Sequence, residues 1–211
     1  MADKTKILIL GGGFGGLTVA SEIRNSRKAG VEITVVDRRG EFSMGLSKLW
    51  VLAGYRGDDN VGDRALLRRK GIHFVKDEIA QIDADRRIVK TSSPVLAYDY
   101  LVVALGAEPM PTLIPGFSEV GFNRYAREEI GRLRDSVARL EEGRIVIFIG
   151  LPYKCPPAPY EGAIIIDELL RQKGVRPSAS MEVHTPTLIR FALSTITKEG
   201  FGRSSSSSNK A

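Results

Sequence analysis

The feature that most narrows what this chain can fold into is the stretch from Lys6 to Gly16, KILILGGGFGG. Four apolar residues, Ile7, Leu8, Ile9 and Leu10, run into a glycine cluster with Gly11, Gly13 and Gly16 in G-x-G-x-x-G spacing, and a helix-like segment follows. This predicts a strand, a tight turn and a helix N-terminus. Without Cβ atoms the turn lets backbone approach a pyrophosphate, and the free N–H groups at the helix start face the anion. Phe14 and Gly15 complete the loop. A glycine-rich turn that holds nothing is the plainer reading, but strand, helix and a downstream acid all stand where a dinucleotide fingerprint requires them.

That acid is Asp37. It closes the next apolar run, Glu32 to Val36 (EITVV), about 20 residues past Gly16, where a carboxylate accepts hydrogen bonds from both ribose hydroxyls of an adenosine and disfavours a 2′-phosphate. Arg38 and Arg39 follow at once and work against that last inference. Each is either solvated or in reach of a phosphate.

The 211 residues allow one large domain or two small ones, and 43% hydrophobic residues suffice for a core. No apolar run reaches the roughly 18 residues that span a bilayer, and no signal-peptide pattern precedes the first strand, so a cytoplasmic chain is expected. Its single cysteine, Cys155, excludes an internal disulfide framework and argues against a metal cluster. The net charge of +6 is spread among 25 acids, which argues against nucleic acid as a partner. The densest basic cluster, Arg64, Arg68, Arg69 and Lys70, reads as a solvated face, with a membrane surface as the alternative.

Along the chain, a helix is predicted from about Gly15 to Arg27, burying Leu17, Ala20 and Ile23 and stopping near Gly30. Glu41 to Gly57 shows neither period and reads as a packing loop with a helical turn around a buried Trp50. A short helix, Asp63 to Lys70, precedes a strand, Ile72 to Val75, and in Rossmann-like domains the third strand lies beside the adenine, which makes the backbone of Val75 a candidate contact. His73, without partners, is read as packed. Glu78 to Ile82 and Arg87 to Thr91 form a predicted antiparallel hairpin. Tyr98 to Glu108 (YDYLVVALGAE) is an apolar strand ending in a small-residue turn at Ala104, Gly106 and Ala107, close to whatever the first loop holds. Pro109, Pro111, Pro115 and Gly116 then mark the end of a first lobe, residues 1–115.

The second lobe, residues 116–187, opens with an amphipathic helix from Glu128 to Glu142, on which Ile130, Leu133, Val137 and Leu140 share a face. Arg144 to Gly150 is a strand, Tyr160 to Lys173 a helix, and Ser180 to His184 another strand. Residues 188–211, with five consecutive serines, are expected to form an irregular tail whose last ten or so residues are disordered. The fold class is therefore α/β: a Rossmann-like dinucleotide domain followed by part of a second.

The second lobe's loop, Leu151 to Glu161 (LPYKCPPAPYE), stands where another G-x-G-x-x-G would bind a nicotinamide dinucleotide. Prolines replace the glycines, and proline offers neither N–H donors nor close approach. The following strand ends in His184 and Thr185 instead of an acid. NAD(P)H binding by this lobe is thus disfavoured. The loop instead presents Cys155 beside Lys154, ahead of a helix N-terminus, where a cation and a helix dipole favour the nucleophilic thiolate. An inert cysteine is the alternative. Glu161 reads as a proton acceptor or as a partner of the helix dipole.

Together GGGFGG, the strand-end acid, YDYLVVALGA and GLPYKCPPAPYE resemble flavoproteins with two dinucleotide domains, and within them the sulfide:quinone oxidoreductase and flavocytochrome c sulfide dehydrogenase group. The resemblance covers about Lys6 to Pro186. It implies FAD in the first lobe, held through Gly11, Gly13, Gly16, Asp37, Val75, Ala104 and Gly106, with Ser47 and Lys48 of SKLW beside the flavin. It gives Cys155 the role of a redox cysteine that takes sulfane sulfur and Glu161 that of a nearby acid. The implied reaction is oxidation of sulfide to sulfane sulfur, with electrons passing through FAD to a quinone or a cytochrome. Peripheral membrane association and a homo-oligomer are among the states it allows. The resemblance stops near Leu188, short of the family's further flavin-binding and partner-cysteine segments, so a truncated or frameshifted product is expected. Two alternatives stand beside the sulfide reading: an NADH:quinone-type dehydrogenase and a non-catalytic flavin-binding fragment.

Overall fold

The computed structural model describes residues 4–26, 29–57, 62–152 and 154–184. Its elements begin with β1 (Thr5–Leu10), α1 (Phe14–Ser26), β2 (Val31–Asp37), β3 (Glu41–Phe42), α2 (Ser47–Leu52) and β4 (Gly62–Asp63). A 3-10 helix, Arg64–Lys70, leads to β5 (His73–Lys76), β6 (Ile79–Asp83), β7 (Ile88–Thr91), β8 (Val95–Ala97) and β9 (Tyr100–Val103). Then come α3 (Phe117–Val120), α4 (Arg127–Arg139), β10 (Gly143–Phe148), α5 (Ala158–Lys173) and β11 (Ala179–His184). The chain forms two compact units, Met1–Met44 with Asp59–Met110, and Gly45–Asp58 with Pro111–Ala211.

The first unit is built on a parallel sheet of order β5-β2-β1-β9. Alternation along β1 sends Ile9 toward α1, where it joins Ala20, Ile33, Val35 and Ile72 in one core. Leu8 and Leu10 point the other way and meet Val36 and Val89, the latter from the antiparallel meander β6-β7-β8. Both faces of the sheet are covered, which is why its strands read as continuous apolar runs with no polar face. Asp99 fastens β9 to β1 by accepting the Lys6 N–H at 2.7 Å.

In the second unit β10 and β11 pair in parallel, with Ile145 opposite Met181. One face of this pair is covered by Ile130 and Val137 of α4, Ile166 and Leu170 of α5, and Val51 and Leu52 of α2. Val146 and Phe148 on the opposite face are 49% and 55% exposed. Behind α5, the carboxylate of Asp167 accepts Arg171 Nε at 2.6 Å and also Arg176 Nε, while Arg176 Nη1 donates to the Ala179 carbonyl.

Several expectations change in detail. Residues 45–58 group by packing with the second unit and not with the first lobe, because Val51 and Leu52 fill the core between α4 and α5. Trp50 is not buried: it is 40% exposed, with the Arg56 guanidinium 4.8 Å from its ring. On the six-residue α2 it is Val51 and Leu52 that turn inward. The helix expected from Asp63 starts one residue later, because Gly62 and Asp63 pair with Phe42 and Glu41, and it is a 3-10 helix, Arg64–Lys70. α4 stops at Arg139 because Leu140 has extended backbone, ψ 128°. Leu17 is only half-buried on α1, and His73 is exposed. Thr185, Pro186 and the serine-rich tail lie outside the described residues.

Candidate functional site

The glycine loop divides its work among three positions. Gly11 has φ +99°, and a Cβ there would stand 2.2 Å from the Ala104 carbonyl oxygen, so only glycine passes beneath the end of β9. A Cβ on Gly16 would stand 1.9 Å from the Gly11 oxygen; its absence lets α1 sit against the turn. At Gly13, by contrast, a Cβ would meet nothing within 4 Å. The loop is therefore open at Gly13, and that is where a pyrophosphate approaches in the dinucleotide fingerprint. Backbone bonds hold the surrounding strand ends: Gly11 N–H donates to the Val36 carbonyl and Ala104 N–H to the Leu10 carbonyl, both at 2.8 Å. The first turn of α1 carries no acid, which leaves its positive end for an anion.

Asp37 closes β2 beside this loop. One carboxylate oxygen accepts the Gly12 N–H at 2.7 Å and the other accepts the Arg39 N–H at 2.8 Å, which fixes the group's orientation. Arg38 donates to Glu108 at 2.5 Å, and Arg39 lies 3.6 Å from the same carboxylate. The bond to Glu108 and its charge raise the Arg38 guanidinium above its ordinary value. Because β1 lies between β2 and β9, this ion pair reaches across the end of β1. Sequence reading missed Glu108, which carries no motif. Phe14 is exposed and meets the Phe42 ring edge-on at 5.0 Å between centroids. Val75 pairs with Val36 by backbone while its side chain joins the meander-side core. Gly106 has φ +73° and open space around its Cα. These residues fit a dinucleotide such as FAD: a cradle without Cβ, a helix N-terminus and an oriented carboxylate.

The cysteine loop lies in the second unit. Half-buried Cys155 precedes the first turn of α5, and its carbonyl accepts the Ala158 N–H at 3.3 Å. Lys154 and Glu161 are exposed, and Tyr153 lies outside the described residues. The residues that organise this loop are two that sequence reading passed over, Arg124 and Tyr125. Tyr125 Oη donates to the Cys155 carbonyl at 3.2 Å, and Arg124 Nη1 donates to the Ala158 carbonyl. The Arg124 guanidinium and the Lys154 ammonium lie 5.4 and 5.7 Å from the Tyr125 ring centroid, within cation–π range. Lys48 Nζ donates to the Tyr125 carbonyl, and Ser47 is buried on the same helix, so both SKLW candidates sit in the second unit.

Local sequence sets this arrangement. Asn123 Oδ1 accepts the Tyr125 N–H at 3.0 Å, and its backbone carbonyl accepts the Ala126 N–H at 2.8 Å. Glu129, in the first turn of α4, reaches back to the Asn123 N–H at 2.7 Å. An asparagine closing an Asx turn, with an acid in the helix that follows, is the signal in NRYAREE that would have flagged it. Burial lowers the Arg124 guanidinium below its ordinary value, opposed by the charges of Tyr125, Cys155 and Glu161. Burial also raises the Tyr125 phenol, with Arg124 pulling it down, so its hydroxyl is the donor. Among the described residues no group of three or more His, Cys, Asp or Glu is placed to hold a metal ion. No helix among them is long and apolar enough to cross a membrane.

Residues 5–150 match the family described as pyridine nucleotide-disulphide oxidoreductase. The mitochondrial sulfide:quinone oxidoreductase of Dictyostelium discoideum is 30% identical over 197 residues, covering 88% of this chain and 43% of the relative. An alternative NAD(P)H-ubiquinone oxidoreductase C1 of Arabidopsis thaliana is 28% identical over 204 residues, covering 84% of this chain and 38% of the relative. The chain thus spans less than half the length of these curated relatives. In fold it resembles the crystal structure of the sulfide:quinone oxidoreductase from the hyperthermophilic bacterium Aquifex aeolicus, with a TM-score of 0.77 at 24% identity over 87% of this chain and 44% of that one.

Proposed function

The chain belongs to the pyridine nucleotide-disulphide oxidoreductase family of FAD-dependent flavoproteins, and from that membership we propose that it serves the oxidation of sulfide to sulfane sulfur. The observation that carries this reading is the loop ahead of α5, where Cys155 stands among Lys154, Pro156 and Pro157 in place of a second glycine cradle. In this reading the open backbone at Gly13 receives the pyrophosphate of FAD, and the oriented carboxylate of Asp37 accepts from the ribose. When bound, FAD supplies a two-electron acceptor. Cys155 bonds the incoming sulfur, a step that releases two electrons and the proton of hydrosulfide. Glu161, the acid in the first turn of α5, is the candidate to take that proton. A quinone or a cytochrome is the onward acceptor, and peripheral association with a membrane and self-association belong to the same proposal.

The Arabidopsis relative favours a second reading, an NADH:quinone-type dehydrogenase. Against it stands the cysteine loop, whose prolines cannot donate N–H bonds to a second pyrophosphate. The chain reconstituted with FAD and treated without air distinguishes the two. Sulfide is expected to bleach the bound flavin and NADH to leave it oxidised. Bleaching by NADH alone would replace the sulfide reading, and bound flavin that answers to neither would make the chain a flavin-binding fragment. Cys155→Ser is expected to abolish the sulfide response; a normal response would remove the role given to the cysteine.

A further inference from the structure

The cysteine loop has an electrostatic oddity. Two consecutive prolines, Pro156 and Pro157, remove backbone donors where a glycine loop would present them to an anion. The positive charge at this loop therefore comes from side chains, and one of them is built in. Arg124 is half-buried against Tyr125, bonded to the Ala158 carbonyl, and seated over Gly162, where a Cβ would come within 2.7 Å of its Nη1. Tyr125 holds the other end of the segment through the Cys155 carbonyl and takes Lys48 on its own carbonyl. One two-residue turn thus fixes both ends of Cys155–Ala158.

We infer that Arg124 and Tyr125 are positioning residues of the Cys155 loop: they hold the carbonyls of Cys155 and Ala158 and keep a guanidinium within electrostatic reach of the sulfur, so that the cysteine meets anionic reactants in preference to neutral ones. The inference deepens the sulfide reading, on which it rests for the identity of the reactant, since hydrosulfide and persulfides are anions. Placement matters as much as charge. The exposed cation Lys154 is screened by solvent, whereas the partly buried Arg124 keeps more of its field.

Because Cys155 is the only cysteine in the chain, alkylation reads this site alone. The thiolate displaces iodide from either anionic iodoacetate or neutral iodoacetamide, forming one C–S bond as the C–I bond breaks, and neither flavin nor sulfide is involved. In the full chain the rate ratio, iodoacetate over iodoacetamide, is expected to fall about five-fold in Arg124→Gln. Arg124→Lys should recover most of that loss, and Arg139→Gln, a distant exposed cation, should leave the ratio as it was. Tyr125→Phe, which keeps the ring and loses the bond to Cys155, should lower the ratio by about half that factor. In the unaltered chain, added potassium chloride should lower the ratio by screening, a measurement that stands even where a variant fails to fold. A ratio indifferent to salt, unchanged in Arg124→Gln, or lost only in Lys154→Gln would overturn the inference. A chain inert to sulfide that shows the expected ratios would sink the sulfide reading and leave this one in place.

Discussion

The loops after β1 and β10 occupy equivalent places, between a parallel strand and the helix that follows, yet they are made from opposite materials. The first is glycine, leading into the N-terminus of α1, with Gly13 facing open space. The second is proline, with positive charge supplied by Arg124 and Lys154 around Tyr125. A backbone cradle suits a large ligand that keeps its phosphates in one place, because its donors cannot move. A loop stripped of donors and ringed by side-chain cations suits a small reactant that must reach one sulfur atom and leave. In the proposed reading, the same strand-loop-helix unit serves binding in one case and reaction in the other.

That contrast can be broken at its strongest point first. Gly16→Val places a Cβ against the Gly11 carbonyl, 1.9 Å away, and is expected to destabilise the first unit by about 3 kcal/mol or more in urea denaturation. Unchanged stability would mean that the glycine loop is looser than described. Next is the ion-pair cluster that ties the C-terminal half of α5 to the start of β11. Asp167→Asn removes the charge shared by Arg171 and Arg176 and is expected to cost about 3 kcal/mol at neutral pH. Burial pushes the Asp167 carboxyl up, but the bonds to the two arginines outweigh it and the net shift is downward. A carboxyl held lower in the folded than in the unfolded state contributes stability above its unfolded value, and that contribution is lost as pH falls through the folded one. The unaltered chain should therefore lose stability on acidification below about pH 4 more steeply than Asp167→Asn does, as read by denaturation at several pH values.

A third test sharpens the binding side. Asp37→Ala frees the Gly12 N–H and removes the proposed ribose acceptor, and titration with FAD should show roughly ten-fold weaker binding. Equal affinity would move the adenosine elsewhere. The mildest test compares glycines. Gly162→Ala crowds a side-chain nitrogen at 2.7 Å, not a fixed carbonyl, so it should cost only about 1 kcal/mol. Its real readout is the alkylation ratio at Cys155, which should drop as the guanidinium is pushed aside.

Much of this was legible in the sequence, for identifiable reasons. The apolar run at Ile7–Leu10 with its glycines, the acid at Asp37, the hairpin of β6 and β7 and the helices α4 and α5 all announce themselves by period or by breaker. Arg124, Tyr125 and Glu108 do not. They lie in irregular segments where no period operates, and their partners are 30, 34 and 70 residues away. Trp50 misled because aromatic bulk suggests burial, whereas on a six-residue helix the inward positions went to Val51 and Leu52. Residues 45–58 hid their allegiance for a similar reason: a short segment shows what it can bury but not against which unit.

The placement of residues 45–58 also bears on how the chain can be taken apart. The polypeptide leaves the first unit after Met44, contributes α2 to the second, returns by Asp59 and leaves again after Met110. No single cut therefore yields the second unit whole. A piece beginning at Pro111 would lack Val51 and Leu52 and leave a hole between α4 and α5, while a piece ending at Met110 would carry those side chains with nothing to cover them. During synthesis, α2 must wait for at least the next 118 residues, Ala53 through Leu170, before its core is complete. The two units are distinct as packed bodies and inseparable as lengths of chain.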